Sequence, residues 1–246
     1  ADNAQAVVVN SGIANACTGE QGMKYCRETA EKVSELMNIP SDAVLVGSTG
    51  VIGMQLNMQA LLSGIEDMVR KRDHTPEIGT LAAEAIMTTD THSKQVAVEI
   101  EIDGKTVTIG GMSKGSGMIH PDMCTMLAYV ATDINMKKEL LQKALSTDIQ
   151  DTFNMISVDG DTSTNDTLLL TANCMAGNTE ITAEDDNYRK FAEALHYVDE
   201  TLAKMMAGDG EGATKLLEVK VINADTKDNA KILSKSVVTS SLTKAM

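Results

Sequence analysis

Tryptophan is absent from this sequence, and only two Phe and four Tyr represent the aromatics. The interior must therefore be filled by Val, Ile, Leu and Ala, with the sixteen Met acting as flexible gap-fillers. Positive charge is also short. Twenty-one Lys and Arg against 35 Asp and Glu leave a formal net charge of −14. A groove that tracks phosphates needs Lys and Arg, so the balance argues against nucleic acid as a partner and against docking on an anionic membrane surface. No run of about 20 apolar residues occurs, which argues against a membrane-spanning helix. The N-terminus shows no basic segment followed by an apolar one, so no signal peptide is read there. The four cysteines, Cys17, Cys26, Cys124 and Cys174, match no zinc spacing, and a chain of 246 residues does not need disulfide staples. Free thiols fit a reducing compartment, so the expected location is the cytoplasm.

What is present is an ordinary globular composition, 43% apolar and 23% charged, over a length that suits one large domain or two small ones. A buried strand is expected over 5–10, followed by a loop over 11–22. Helical spacing over 27–37 places Ala30, Val33 and Met37 on one face, and Pro40 follows it. A short apolar strand over 43–47 leads into Gly47-Ser-Thr-Gly50-Val-Ile-Gly53. Asn57 is placed to cap a helix over 58–72, and Pro76 precedes another over 77–87. The clearest hairpin is 94–110: Val96, Val98, Ile100 and Ile102 alternate on one arm, Val107 and Ile109 on the other, and Asp103-Gly104 forms the turn. A Gly-rich loop is expected over 110–121, strands over 123–131, 167–172 and 216–222, and helices over 137–150, 185–206 and 228–238. This order predicts an α/β fold, a layered sandwich with helices packed on mixed sheets, rather than a plain parallel alternation.

Several stretches invite a chemical reading. The two Gly-rich loops, 47–53 and 110–117, lack both the Walker spacing and GxGxxG, so glycine content alone does not make them nucleotide sites. The first reads either as a tight turn or as a strand end whose unpaired amides, beside Thr49, face a developing oxyanion. Thr125 reads as a β-branched strand residue or as a nucleophile. The second reading requires a nearby base, and the α-amine of a chain-terminal Thr, with a reference pKa near 8, supplies one once the chain is cut before it. The polar run 157–166 has the look of a calcium loop but lacks the closing Glu and the spacing, so it reads as a network of turns. Glu211, in a Gly-rich turn, is either solvated or placed to hold a substrate amino group. The four His are scattered without metal spacing, and His120 alone lies near Thr125 in sequence.

Taken in series, these segments resemble the ornithine acetyltransferase family, the glutamate N-acetyltransferases of arginine biosynthesis. The resemblance is carried by Asn10-Ser-Gly-Ile-Ala-Asn-Ala-Cys-Thr-Gly19, the 47–53 loop, Ala85-Ile-Met-Thr-Thr-Asp-Thr91, Lys114-Gly-Ser-Gly-Met-Ile119 and Met123-Cys-Thr-Met-Leu127. It continues through Phe153-Asn, Ser157-Val-Asp-Gly-Asp-Thr-Ser-Thr-Asn-Asp166, Gly210-Glu-Gly-Ala-Thr-Lys215 and Ser241-Leu-Thr-Lys244. It implies a layered α/β fold similar to that of self-cleaving aminopeptidases. It also implies a single catalytic core over 1–246 that cuts itself between Cys124 and Thr125 into fragments 1–124 and 125–246. Family members extend further at both ends and carry a small C-terminal domain.

The roles implied are position-specific. Thr125 is the nucleophile, and Thr49 and Gly50 hold the oxyanion. Thr88, Lys114, Thr125 and Glu211 contact the amino-acid substrate. The implied activity moves acetyl from N2-acetylornithine to glutamate through an acetyl-threonine, without metal or organic cofactor; some members also take acetyl-CoA as donor. The implied assembly is a heterotetramer of the two fragments. Cys124 stands where the family usually has Ala. Two other readings remain at this point: a self-processing aminopeptidase or amidase of similar fold, and a domain that neither cleaves nor catalyses.

Overall fold

The computed structural model of the chain describes residues 3–120 and 126–245. Contacts divide the chain into two compact units, Ala1–Thr88 and Thr89–Met246.

The first unit begins with strand β1, Ala6–Asn10, helix α1, Gly19–Met37, and strand β2, Val44–Ser48. The two strands are parallel, with Ala6 opposite Val44 and Asn10 opposite Ser48. Parallel neighbours need a crossover, and α1 supplies it. Helices α2, Met58–Lys71, and α3, Pro76–Ala85, complete the unit. The Asn57 side chain accepts from the Ala60 N–H, the capping role its position announced. Val8, Val33, Val44 and Ile65 form the core, one residue from each of β1, α1, β2 and α2. Helix α1 starts at Gly19, well before the expected Arg27, inside what reads as a loop. The reason is local: Asn15 Nδ2 donates to the Gly22 carbonyl at 2.8 Å and Thr18 Oγ1 to Asn15 Oδ1 at 2.6 Å, so the polar side chains of the loop seat the first turn.

The second unit is built on a four-stranded mixed sheet. Its strands are β3, Lys94–Ile102, β4, Lys105–Lys114, β5, Leu127–Thr132, and β6, Thr167–Ala172, adjacent in that order. The first two pairings are antiparallel and the last is parallel. Asp103 and Gly104 both take positive φ, as a two-residue primed turn requires, and pair Ile102 with Lys105. Helix α5, Asp186–Gly208, packs on β3 and β4, and α4, Lys138–Asp148, packs on α5. Ile102, Val107, Ile109, Val130, Phe191, Leu195, Val198 and Leu202 lie in this core. Helices α6, Lys227–Val238, and α7, Ser241–Lys244, close the order with no buried residue in either.

The chain is thus mixed α/β, with helices on sheets. Two expectations need correction. The Gly-rich stretch is not loop from Gly110 onward, because β4 runs through it to Lys114. Gly111 belongs in that strand: a Cβ there would lie 2.9 Å from Leu202 and 3.1 Å from Val198, so its bareness is what lets α5 approach the sheet. The strand expected over 216–222 does not form. Its alternation is real, but among the described residues no neighbouring strand runs beside it, and an isolated strand leaves its backbone groups to water.

Candidate active site

In the first unit, the loop after β2 is fastened to the loop after β1. The Thr49 N–H donates to the Asn10 carbonyl at 3.0 Å, the Val51 N–H to the Gly12 carbonyl at 3.1 Å, and the Ala14 N–H to the Val51 carbonyl at 3.0 Å. The amides of this loop are therefore not all left open, as a frayed strand end would leave them. Among the described residues, Gly50 N–H, lying between two paired amides, meets no acceptor. Gly50 sits at φ +128, and a Cβ there would lie 2.2 Å from the Gly12 carbonyl carbon. Only glycine fits this position. The result is a tightly constrained turn in which the Gly50 amide stands outside the backbone pairing of its neighbours. Thr88, the last residue of this unit, is exposed after α3.

In the second unit, Lys114 ends β4 and is buried to 8% exposure. Its Nζ lies 3.6 Å from Asp90 Oδ2. Asp90 is itself held by Lys94, whose Nζ is 2.7 Å from Asp90 Oδ1 and 2.6 Å from Asp209 Oδ2. The Gly115 N–H donates to Asp90 Oδ1 at 2.6 Å, and the Thr91 N–H to Asp209 Oδ2 at 3.0 Å. Four charges of alternating sign thus form a buried chain, Asp209–Lys94–Asp90–Lys114. Burial without such pairing would be prohibitive. Burial pulls the Lys114 ammonium below its ordinary pKa, while Asp90 and, more weakly, Glu211 pull the other way. Burial works to raise the Asp209 carboxyl, but hydrogen bonds from Lys94 and Thr91 outweigh it and hold it below the usual range.

Glu211 follows two residues after Asp209. Its N–H donates to the Ser116 carbonyl at 2.7 Å. A Cβ on Gly117 would lie 2.6 Å from the Glu211 carboxyl carbon, so the side chain rests on the bare backbone of the turn after Lys114. The structure therefore brings together Lys114 and Glu211, the two charged residues expected to contact an amino acid. Glu211 also borders a cavity of about 790 Å³ lined by Val158, Ala203, Lys204 and Leu217, among others; Lys114 does not line it. Cys124 and Thr125 lie outside the described residues.

Asp90, Lys94 and Asp209 were not singled out from the sequence. One signal was available: Lys94 shares the inward phase of β3 with Val96, Val98, Ile100 and Ile102, where a lysine is out of place unless paired. The polar run 157–166 is a network of turns. Asp159 accepts the N–H groups of Met118, Ile119 and Asp161, and His120 Nδ1 is 3.0 Å from Ser157 Oγ.

The model of the ArgJ family matches residues 1–246. The chain belongs to the ArgJ family. It is 49% identical over 240 residues to the arginine biosynthesis bifunctional protein ArgJ of Thermotoga neapolitana, covering 98% of this chain and 60% of that protein. It is 52% identical over 241 residues to the ArgJ protein of Symbiobacterium thermophilum, again covering 98% and 60%. The chain thus spans about 60% of the length of the curated ArgJ relatives it matches. Among solved structures, the ArgJ protein of Bacillus halodurans is 44% identical with a TM-score of 0.44, over 49% of this chain and 60% of that one. The ornithine acetyltransferase of Mycobacterium tuberculosis, complexed with ornithine, is 42% identical with a TM-score of 0.44, over 49% and 62%. The family resemblance read from the motifs is borne out over the whole chain.

Proposed function

We propose that this protein is a glutamate N-acetyltransferase of arginine biosynthesis, moving acetyl from N2-acetylornithine to glutamate. The observation that carries the reading is the ArgJ family match across residues 1–246, with relatives near 50% identity named for arginine biosynthesis. The geometry supports it. A free amino acid presents one positive and one negative group, and Lys114 at the end of β4 and Glu211 in the turn after α5 offer one charge of each sign.

The chain first cuts itself. The Thr125 hydroxyl attacks the Cys124 carbonyl carbon; the C–N bond breaks as the C–O bond forms, and the hydroxyl proton passes to the leaving nitrogen. Water then hydrolyses the ester, leaving fragments 1–124 and 125–246. The freed α-amine acts as base for the Thr125 hydroxyl in its attack on the acetyl group. Thr49 and the Gly50 amide hold the tetrahedral oxyanion, a contribution of about 3–4 kcal/mol for one good donor. Ornithine leaves, and glutamate takes the acetyl from Thr125. Lys114, Thr88 and Glu211 bind the amino-acid portion. No metal or organic cofactor takes part. We place the reaction in the cytoplasm and the two fragments in a heterotetramer. The strands β4 and β5, one from each side of the cut, are paired from Ile109–Thr132 to Lys114–Leu127, which supports fragments that stay together.

The test is steady-state kinetics on protein expressed from its complete gene, varying acetylornithine and glutamate. Parallel double-reciprocal lines, lost in Thr125→Ala, support the reading. Acetylornithine consumption that ignores glutamate would replace it with a hydrolase.

A further inference from the structure

The loop after β1, residues 10–15, is bonded to two parts of the first unit that the proposed reaction uses. One is the Thr49-Gly50 turn. Ser48, the last residue of β2, adds a side-chain fastening to the backbone bonds of that turn. The Asn15 N–H donates to Ser48 Oγ at 2.8 Å, and Ser48 Oγ donates to the Ile13 carbonyl at 3.2 Å. One hydroxyl thus grips the loop twice, directly before Thr49. The approach beside it is backbone on backbone: a Cβ at Gly50 would lie 2.3 Å from the Gly12 carbonyl oxygen.

The other part is the end of α3. Ser11 Oγ donates to the Ala85 carbonyl at 2.6 Å. Ala85 is the last residue of α3, so its carbonyl is one of those a helix leaves without an internal partner. Thr88 follows three positions later. Ser11 therefore fixes where the segment leading to Thr88 departs.

The loop is itself seated. Ala14 is fully buried, and Asn15 Nδ2 donates to the Gly22 carbonyl of α1 at 2.8 Å. Asn10 Nδ2 donates to the Ile13 carbonyl at 2.8 Å, and the Gly53 N–H to the Ala16 carbonyl at 3.1 Å. A donor aimed at a developing charge helps only when it is in place before the charge forms, and a small misplacement costs rate steeply.

We propose that Ser48 and Ser11 are positioning residues for the acetyl transfer, joined through the 10–15 loop. Ser48 sets the Thr49-Gly50 turn for the transition state, and Ser11 sets the end of α3 for substrate binding by Thr88. Both act through other residues. The inference rests on the roles given to Thr49, Gly50 and Thr88 in the acetyl transfer. The two hydroxyls then have different kinetic signatures. Losing an interaction made only in the transition state lowers kcat, whereas losing uniform binding raises KM.

The experiment measures kcat and KM for N2-acetylornithine at saturating glutamate, on protein from its complete gene, with rates counted per cut chain and thermal unfolding of each variant. Ser48→Ala is expected to lower kcat by about tenfold or more, with KM within about twofold. Ser48→Thr keeps the hydroxyl and should recover most of the rate. Ser11→Ala should instead raise KM severalfold and leave kcat within about twofold. A general loosening of the fold would move both constants in both variants. Thr49→Ala and Thr88→Ala in the same series test the underlying roles. A wild-type kcat in Ser48→Ala beside a slow Thr49→Ala, or a wild-type KM in Ser11→Ala beside a raised KM in Thr88→Ala, overturns the proposal. Wild-type kinetics in Thr49→Ala and Thr88→Ala overturn the underlying roles instead, so the two failures are distinct. Ser11→Ala loses one exposed hydrogen bond, and it carries the test if Ser48→Ala does not fold or is not cut.

Discussion

Lys94 Nζ lies 2.6 Å from Asp209 Oδ2 with both side chains out of solvent, and that ion pair ties the first residue of β3 to the turn that carries Glu211. The same ammonium reaches Asp90, which faces Lys114. A single buried cation therefore sets the separation of the two charged residues proposed to hold substrate. Lys94→Met removes it, leaving Asp209 without its buried ammonium and Asp90 with Lys114 alone. The loss of stability should be about 3–5 kcal/mol, measured by urea unfolding at neutral pH. A loss within a few tenths would mean the pair is not buried as described.

Lys114→Met should act on binding. Its ammonium is proposed to meet the charged end of the amino acid, so KM for acetylornithine should rise at least tenfold, about 1.4 kcal/mol, with a smaller change in kcat. Lys114→Arg should not restore it. The planar guanidinium does not fit a site shaped for a compact ammonium beside Asp90.

Asp199, on α5, carries a pH signature. Burial, with the neighbouring Asp148 carboxyl adding to it, pushes its pKa up to about 9. Asp148 also pairs with His196 at 2.7 Å and accepts from the Thr152 hydroxyl. Asp199 is thus protonated at neutral pH, and its two carboxyl oxygens are buried without a hydrogen-bond partner among the described residues. The sign follows from the proton count. Between the unfolded value near 4 and about 9 the folded protein holds the extra proton. The stability this group contributes is complete below about pH 4 and drains away as pH rises toward 9. Asp199→Asn keeps a donor without the titration. It should flatten that slope and gain on the order of 1–3 kcal/mol at pH 8. Denaturant unfolding across pH checks both.

Much of the fold was legible because local and tertiary demands agree. The Asp103-Gly104 turn, the alternation of β3 and the Asn57 cap need no distant partner to be read. Two of the misreadings come from residues whose meaning depends on something far away. Gly111 looks like loop until Val198 and Leu202 of α5 are laid against it. The alternation of 216–222 looks like a strand, yet a strand exists only with a neighbour. At the site, motif order pointed to Lys114 and Glu211; the Glu211 carboxylate rests on Gly117 and is near enough to act on the Lys114 ammonium. The pairing of Lys94 with Asp209 was not legible, because 115 positions of sequence separate them.

The central claim is that Thr125 becomes a chain terminus and then carries acetyl. Mass spectrometry of the protein, purified from its complete gene and mixed with N2-acetylornithine in the absence of glutamate, tests this most directly. The account predicts a break after Cys124 and one acetyl group on the fragment that begins at Thr125, removed when glutamate is added. A single uncut chain, or a cut chain that never gains the acetyl group, would contradict it.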